Sequence, residues 1–165
     1  MVKIGVIGYG YWGPNLVRNF VESKGLELAY VSDLDPKKLE LVNKRYPGVK
    51  TTTHFEELIR DTDIDAVAVA TPVSTHFELG MAVLKAGKHL WLEKPMTETS
   101  EEAQRLVEEA AKRKLIIIVD HTFIYTGAIQ KVAALMRQGE IGDLYYYDST
   151  RINLGLFQRD VGVIS

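Results

Sequence analysis

Several short clusters in the chain hold residue types that could do chemistry. Gly8-Tyr9-Gly10-Tyr11-Trp12-Gly13 has the spacing G-x-G-x-x-G. Between a strand and a helix, that spacing lets Gly8 turn tightly, Gly10 admit a pyrophosphate against the backbone, and Gly13 seat helix on strand. The following helix N-terminus offers unpaired N–H groups to phosphate; a turn without ligand is the alternative. Asp33 stands where an acid accepts the hydroxyls of an adenosine ribose and repels a 2′-phosphate. It favours NAD over NADP, while Lys37 and Lys38 could accommodate a phosphate, and Asp33 or Asp35 could instead cap a helix beginning at Pro36. Thr71-Pro72-Val73-Ser74-Thr75-His76 offers small hydroxyls and a rigid turn as a cofactor wall; alternatively Thr75 is an N-cap and His76 a surface helix residue. Glu93-Lys94-Pro95 presents a lysine that could bind a substrate hydroxyl and favour its ionisation during hydride removal, or simply be solvated. Asp120-His121-Thr122 supplies a histidine able to carry a proton, or one satisfied within a domain junction.

These clusters need elements to position them, and hydrophobic period supplies the elements. Short apolar runs over 2–7, 26–31, 49–52, 66–70, 90–92 and 115–119 read as strands. The run over 66–70 is apolar on both faces, as expected in the middle of a parallel sheet. Helical spacing predicts helices over 14–23, from Pro36 to Arg45 with Leu39, Leu41 and Val42 inward, over 54–60, and over 77–86 closed by Gly87. A further helix is predicted over 100–112, with Ser100 as N-cap and Ala103, Leu106, Val107 and Ala110 inward. Strand and helix alternate at short connections, so the fold class is α/β, a doubly wound parallel Rossmann sheet with helices on both faces. Each chemical cluster then falls at the carboxyl end of a strand, the edge where such sheets bind ligands. After residue 121 the pattern changes. A helix over 127–138 and a long strand over 144–152 are expected as the first elements of a second, α+β domain, truncated at 122–165.

Composition narrows the function classes. Lys and Arg number 20 against 22 Asp and Glu, a net charge of −2, which gives no electrostatic case for nucleic acid or an anionic membrane. The absence of cysteine excludes disulfides and thiolate chemistry, and four scattered histidines suggest no metal. No apolar run approaches the ~18 residues of a membrane span, and a strand begins at the first residues without a signal peptide. A soluble, cytoplasmic protein is expected.

Taken together, the glycine loop, Thr71-Pro72 with His76, Glu93-Lys94-Pro95-Met96, and Glu140-Ile141-Gly142 followed by Arg151 resemble the glucose–fructose oxidoreductase, inositol dehydrogenase and MocA family. Within it, stretches 8–20, 121–125 and 151–161 are similar to UDP-N-acetylglucosamine uronate 3-dehydrogenases. The resemblance implies an NAD-dependent oxidoreductase of a sugar or nucleotide sugar. In it Gly8, Gly10 and Gly13 would hold the diphosphate, bordered by Tyr11 and Trp12, and Asp33 the ribose. Thr71, Pro72, His76 and Glu93 would line the cofactor, and Lys94 would lie beside the nicotinamide and contact the reacting hydroxyl. His121 and Arg151 would adjoin the substrate. The family's second domain adds another ~150 residues and an Asp-x-x-x-His proton acceptor, and Thr126-Gly127 replaces its asparagine-proline. Very low turnover is therefore expected unless His121 substitutes, the alternative being an NAD-binding module without catalysis. An uncovered edge at 144–152, with Tyr145, Leu154, Leu156 and Phe157, is expected to make a homo-oligomer, or else a disordered tail after Asn153.

Overall fold

The computed structural model describes residues 1–150 and 152. Strands β1 (Val2–Ile7), β2 (Leu26–Ser32), β3 (Lys50–Thr52), β4 (Ala66–Val69), β5 (His89–Leu92) and β6 (Ile117–Val119) form one sheet in the order β3-β2-β1-β4-β5-β6. Every neighbouring pair is parallel. The chain winds outward from β1 in one direction and from β4 in the other, so the order reverses between these two strands. Their carboxyl ends flank the crevice where doubly wound sheets take ligands.

Alternation along the strands divides the core in two. Ile4, Val6, Leu28 and Ala68 pack against Leu16, Val17 and Phe20 of α1 (Gly13–Glu22) and Leu39 and Val42 of α2 (Pro36–Arg45). Val67, Val69, Leu90 and Leu92 point the other way. They meet Leu58 of α3 (Phe55–Arg60), Val83 and Leu84 of α4 (His76–Lys85), and Leu106 and Ala110 of α5 (Ser100–Arg113). A fully buried side chain of this kind contributes roughly 1.5–3 kcal/mol by leaving water, so neither face of the sheet can stay bare. Leu41 and Val107, expected inward, lie at the edge of their helical stripes and are exposed.

Two ends differ from the sequence reading for local reasons. Thr99, not Ser100, caps α5: its backbone is extended and its hydroxyl accepts from Glu102 N at 3.2 Å. The sixth strand starts at Ile117 because Lys114, in the left-handed region at φ 59°, and Leu115 close α5 by donating their N–H groups to Ala111 and Ala110.

The chain divides into two compact units, Met1–Asp120 and His121–Ser165. The second opens with a 3-10 turn, Thr122–Tyr125, followed by α6 (Gly127–Arg137). The strand expected over 144–152 is not formed: residues 144–150 take no regular structure. A strand exists only through hydrogen bonds to a neighbour, and among the described residues none offers them. Arg151, Leu154, Leu156, Phe157 and the expected tail after Asn153 lie outside the described residues. No helix among the described residues is long and apolar enough to cross a membrane.

Candidate cofactor site

The glycine loop joins β1 to α1, and its glycines meet different surroundings. Gly8 has φ +99°, and a Cβ there would stand 2.7 Å from the Ala70 carbonyl oxygen. A Cβ on Gly13 would collide with the Gly8 carbonyl oxygen. Those two glycines close the loop on itself and on the end of β4. A Cβ on Gly10 would meet nothing within 4 Å. Of the three glycines, Gly10 alone leaves open space above the loop's backbone. Beyond it, α1 has neither a side-chain cap nor an acidic residue in its first turn, which leaves its positive end to an anion. Tyr11 is exposed at the rim, with Trp12 half-exposed beside it.

Asp33 follows β2 on the other side of this loop. Its Oδ2 accepts Tyr9 N at 2.6 Å, and its Oδ1 accepts Asp35 N at 2.9 Å. The carboxylate is thus locked to the glycine loop, with its side chain only 8% exposed. Asp35 is the cap of α2, accepting from Lys37 N at 3.0 Å, so Asp33 is not needed there. Lys38 reaches back to both Asp33 oxygens, at 3.3 and 3.4 Å. Lys37 makes no such contact; of the two lysines, Lys38 is the cation paired with Asp33.

The turns after β4 and β5 are joined by His76. Its ring is 1% exposed, with Nε2 2.9 Å from the Thr71 carbonyl and Nδ1 2.9 Å from the Pro95 carbonyl. The imidazole is neither a surface group nor a free ligand, because backbone oxygens occupy both nitrogens. It fixes the Thr71-Pro72 turn against the Glu93-Lys94-Pro95 turn, whose Lys94–Pro95 peptide is cis. Thr75 precedes α4 without capping it: its hydroxyl lies 2.7 Å from both the Pro72 carbonyl and the Thr71 hydroxyl. Lys94 itself is exposed on this braced turn.

Beside Lys94 lies a pair of carboxyl groups. Glu93 Oε2 accepts Lys94 N at 3.2 Å, whereas Oε1 is buried with no hydrogen-bond partner. Burial, and then the adjacent Asp120 carboxyl, push the Glu93 acid up to about 8. Asp120 is 8% exposed and accepts the Trp12 indole N–H at 3.2 Å. Reading the sequence at these positions singled out Lys94 and His121 and missed the roles of Trp12 and Asp120. The available signal was an acid at the carboxyl edge of the sixth strand. His121 belongs to the second unit and is exposed there; Arg151 lies outside the described residues. Among the described residues no group of three His, Asp or Glu side chains could hold a metal ion. A hollow at the opposite, amino-terminal edge surrounds Lys88, whose ammonium is bound to the Asp61 and Ile64 carbonyls at 2.7 Å. That lysine fastens the loop after α3.

Residues 2–121 match a family profile described as an oxidoreductase family with an NAD-binding Rossmann fold. The chain belongs to the Gfo/Idh/MocA oxidoreductase family. It is 30% identical over 146 residues to the scyllo-inositol 2-dehydrogenase (NADP(+)) of Bacillus subtilis, covering 88% of this chain and 40% of that protein. It is 31% identical over 144 residues to the dTDP-3,4-didehydro-2,6-dideoxy-alpha-D-glucose 3-reductase of Saccharopolyspora spinosa, covering 87% and 38%. The crystal structure of scyllo-inositol dehydrogenase from Lactobacillus casei with bound NAD(H) and scyllo-inositol superposes with a TM-score of 0.81 at 26% identity, covering 87% and 43%. The chain thus spans about 40% of the length of the curated relatives it matches. The shared part is the NAD-binding domain, with the α/β fold that the alternation of strands and helices predicted.

Proposed function

We propose that this chain carries the cofactor half of an NAD-dependent dehydrogenase that oxidises a hydroxyl carbon of a sugar, polyol or nucleotide sugar. The observation that carries this reading is the open backbone at Gly10, set at the uncapped end of α1 and flanked by the locked Asp33 carboxylate. In that arrangement the backbone around Gly8, Gly10 and Gly13 receives the diphosphate, with Tyr11 and Trp12 bordering it. Asp33 accepts the adenosine ribose hydroxyls and disfavours a 2′-phosphate. Thr71, Pro72 and Glu93 line the wall, while His76 braces it from behind. When bound, the nicotinamide supplies the hydride acceptor. Lys94 holds the substrate oxygen, and its ammonium favours loss of the hydroxyl proton. His121 and Arg151 are assigned to the substrate side, His121 as a proton carrier.

The relatives named for an inositol and for a nucleotide-linked deoxysugar support a hydroxyl-rich substrate. The narrower assignment, a UDP-linked uronate, rests on the stretches quoted from the sequence. Residues 1–121 form the NAD-binding domain in this reading, and 122–165 begin a substrate and dimerisation domain. Tyr145 and Ile152, 90% and 92% exposed, support a homo-oligomer joined through that segment. The protein works in the cytoplasm.

The test is NADH formation by the chain at saturating NAD with a panel of inositols, hexoses and nucleotide sugars. With His121 as the proton carrier, the reading predicts at most slow NADH formation with at least one of these, lost in Lys94→Ala and in His121→Ala. Saturable NADH binding without turnover on any of them would leave a binding module and remove the dehydrogenase assignment.

A further inference from the structure

The two carboxyl groups at the ends of β5 and β6 ask more than a cofactor wall requires. Leu92 pairs with Val119 in the parallel ladder, and Asp120 N donates to Leu92 O at 2.8 Å, so Glu93 and Asp120 leave the sheet side by side. Asp120 is buried, and Glu93 is half-buried with its Oε1 enclosed. If both were ionised, two like charges would adjoin away from water, and Glu93 Oε1 would remain an acceptor without a donor. One proton removes both faults. Placed on Glu93, it makes that oxygen a donor toward Asp120 and leaves a single negative charge, which the Trp12 indole N–H stabilises. Lys94 opposes this by favouring the ionised Glu93, but burial and Asp120 outweigh it.

We propose that Glu93 and Asp120 share one proton at neutral pH, and that this acid–carboxylate pair is a positioning unit linking the glycine loop, through Trp12, to the backbone of Lys94. The link runs from the indole N–H to Asp120, across the shared proton to Glu93, and from Glu93 Oε2 to Lys94 N. The phosphate-binding loop and the lysine turn, on opposite sides of the crevice, are thereby held in one register. What the unit positions rests on the crevice being the dinucleotide site; the shared proton does not.

Infrared spectroscopy of the whole chain near neutral pH tests the proton. The parent should show the carbonyl stretch of an un-ionised carboxylic acid, and Glu93→Gln should lose it. Absence of that band in the parent, or its survival in Glu93→Gln, would overturn the shared proton. NADH titration tests the positioning. Glu93→Ala should weaken binding by about tenfold, the loss of a charge-assisted hydrogen bond, and Glu93→Gln, which keeps a neutral donor, should restore most of it. Trp12→Phe keeps an aromatic ring at the rim of the loop while removing the indole donor, and carries the same test should Glu93→Ala fail to fold; it should weaken NADH by several-fold. Parental affinity in Glu93→Ala or Trp12→Phe would overturn the positioning role. A parent that binds no NADH would remove the crevice assignment and that role together, while the infrared band would still decide the proton.

Discussion

Replacing Gly10 with valine separates a ligand-binding loop from a mere turn. A Cβ at Gly10 meets nothing within 4 Å, so the fold has no reason to resist the substitution. The stability change should stay within ~0.5 kcal/mol, the range of a surface replacement, which is about 1–2 °C in Tm for a chain of this size. Binding should respond very differently. The valine methyl groups would fill the space through which a diphosphate reaches the backbone, and a loss of at least ~3 kcal/mol, about a hundredfold in Kd, is expected. Gly13→Ala is the contrast. Its Cβ would collide with the Gly8 carbonyl oxygen, a backbone atom that cannot swing aside. Overpacking of that kind costs ~1–3 kcal/mol, so this variant should melt several degrees lower whether or not cofactor is present. The assay pairs thermal unfolding with NADH fluorescence titration on the three proteins. A folded Gly10→Val with parental NADH affinity would reduce the loop to a turn. An unfolded Gly10→Val would show that the space above the loop is not open.

Other outcomes follow from the same geometry. Asp33→Ala should weaken NADH by roughly tenfold and leave Lys38 free to pair with a 2′-phosphate, moving preference toward NADPH; Lys38→Met should do the reverse. Fluorescence titration of both cofactors checks this pair, and an unchanged NADH-to-NADPH ratio in both variants would contradict it. His76→Phe takes the ring N–H away from the paired Thr71 and Pro95 carbonyls and leaves a buried acceptor without its donor, at a cost of ~1–3 kcal/mol readable by urea unfolding. Stability should also depend on pH through Glu93. Its folded-state acid is raised from 4.5 to about 8, so its contribution is full at pH below the lower value and is lost as pH rises through the higher one. The Tm of the parent should therefore fall relative to Glu93→Gln over that window, and parallel curves would contradict the assignment.

Elements whose identity depends on their own residues were legible in the sequence. The doubly apolar run of β4 marked the sheet centre, and the glycine spacing between strand and helix marked the crevice. Elements that depend on remote neighbours were not. His76 looks like any helical histidine until the Thr71 and Pro95 turns converge on it. Trp12 and Asp120 stand 108 residues apart, and only the sheet order β1-β4-β5-β6 brings the loop after β1 and the end of β6 to one edge, where their side chains meet. Thr99 and Ser100 are both competent caps, and only the extended backbone at Thr99 decides between them. The apolar run at 144–152 has strand composition, but composition does not provide a hydrogen-bonded neighbour.

Calorimetric titration of the chain with NADH and with NADPH under identical conditions decides whether the crevice is a dinucleotide site. A single saturable site that takes NADH more tightly than NADPH is expected, because the Asp33 carboxylate locked beside the glycine loop would repel a 2′-phosphate. No saturable heat with either cofactor, or tighter binding of NADPH, would contradict it.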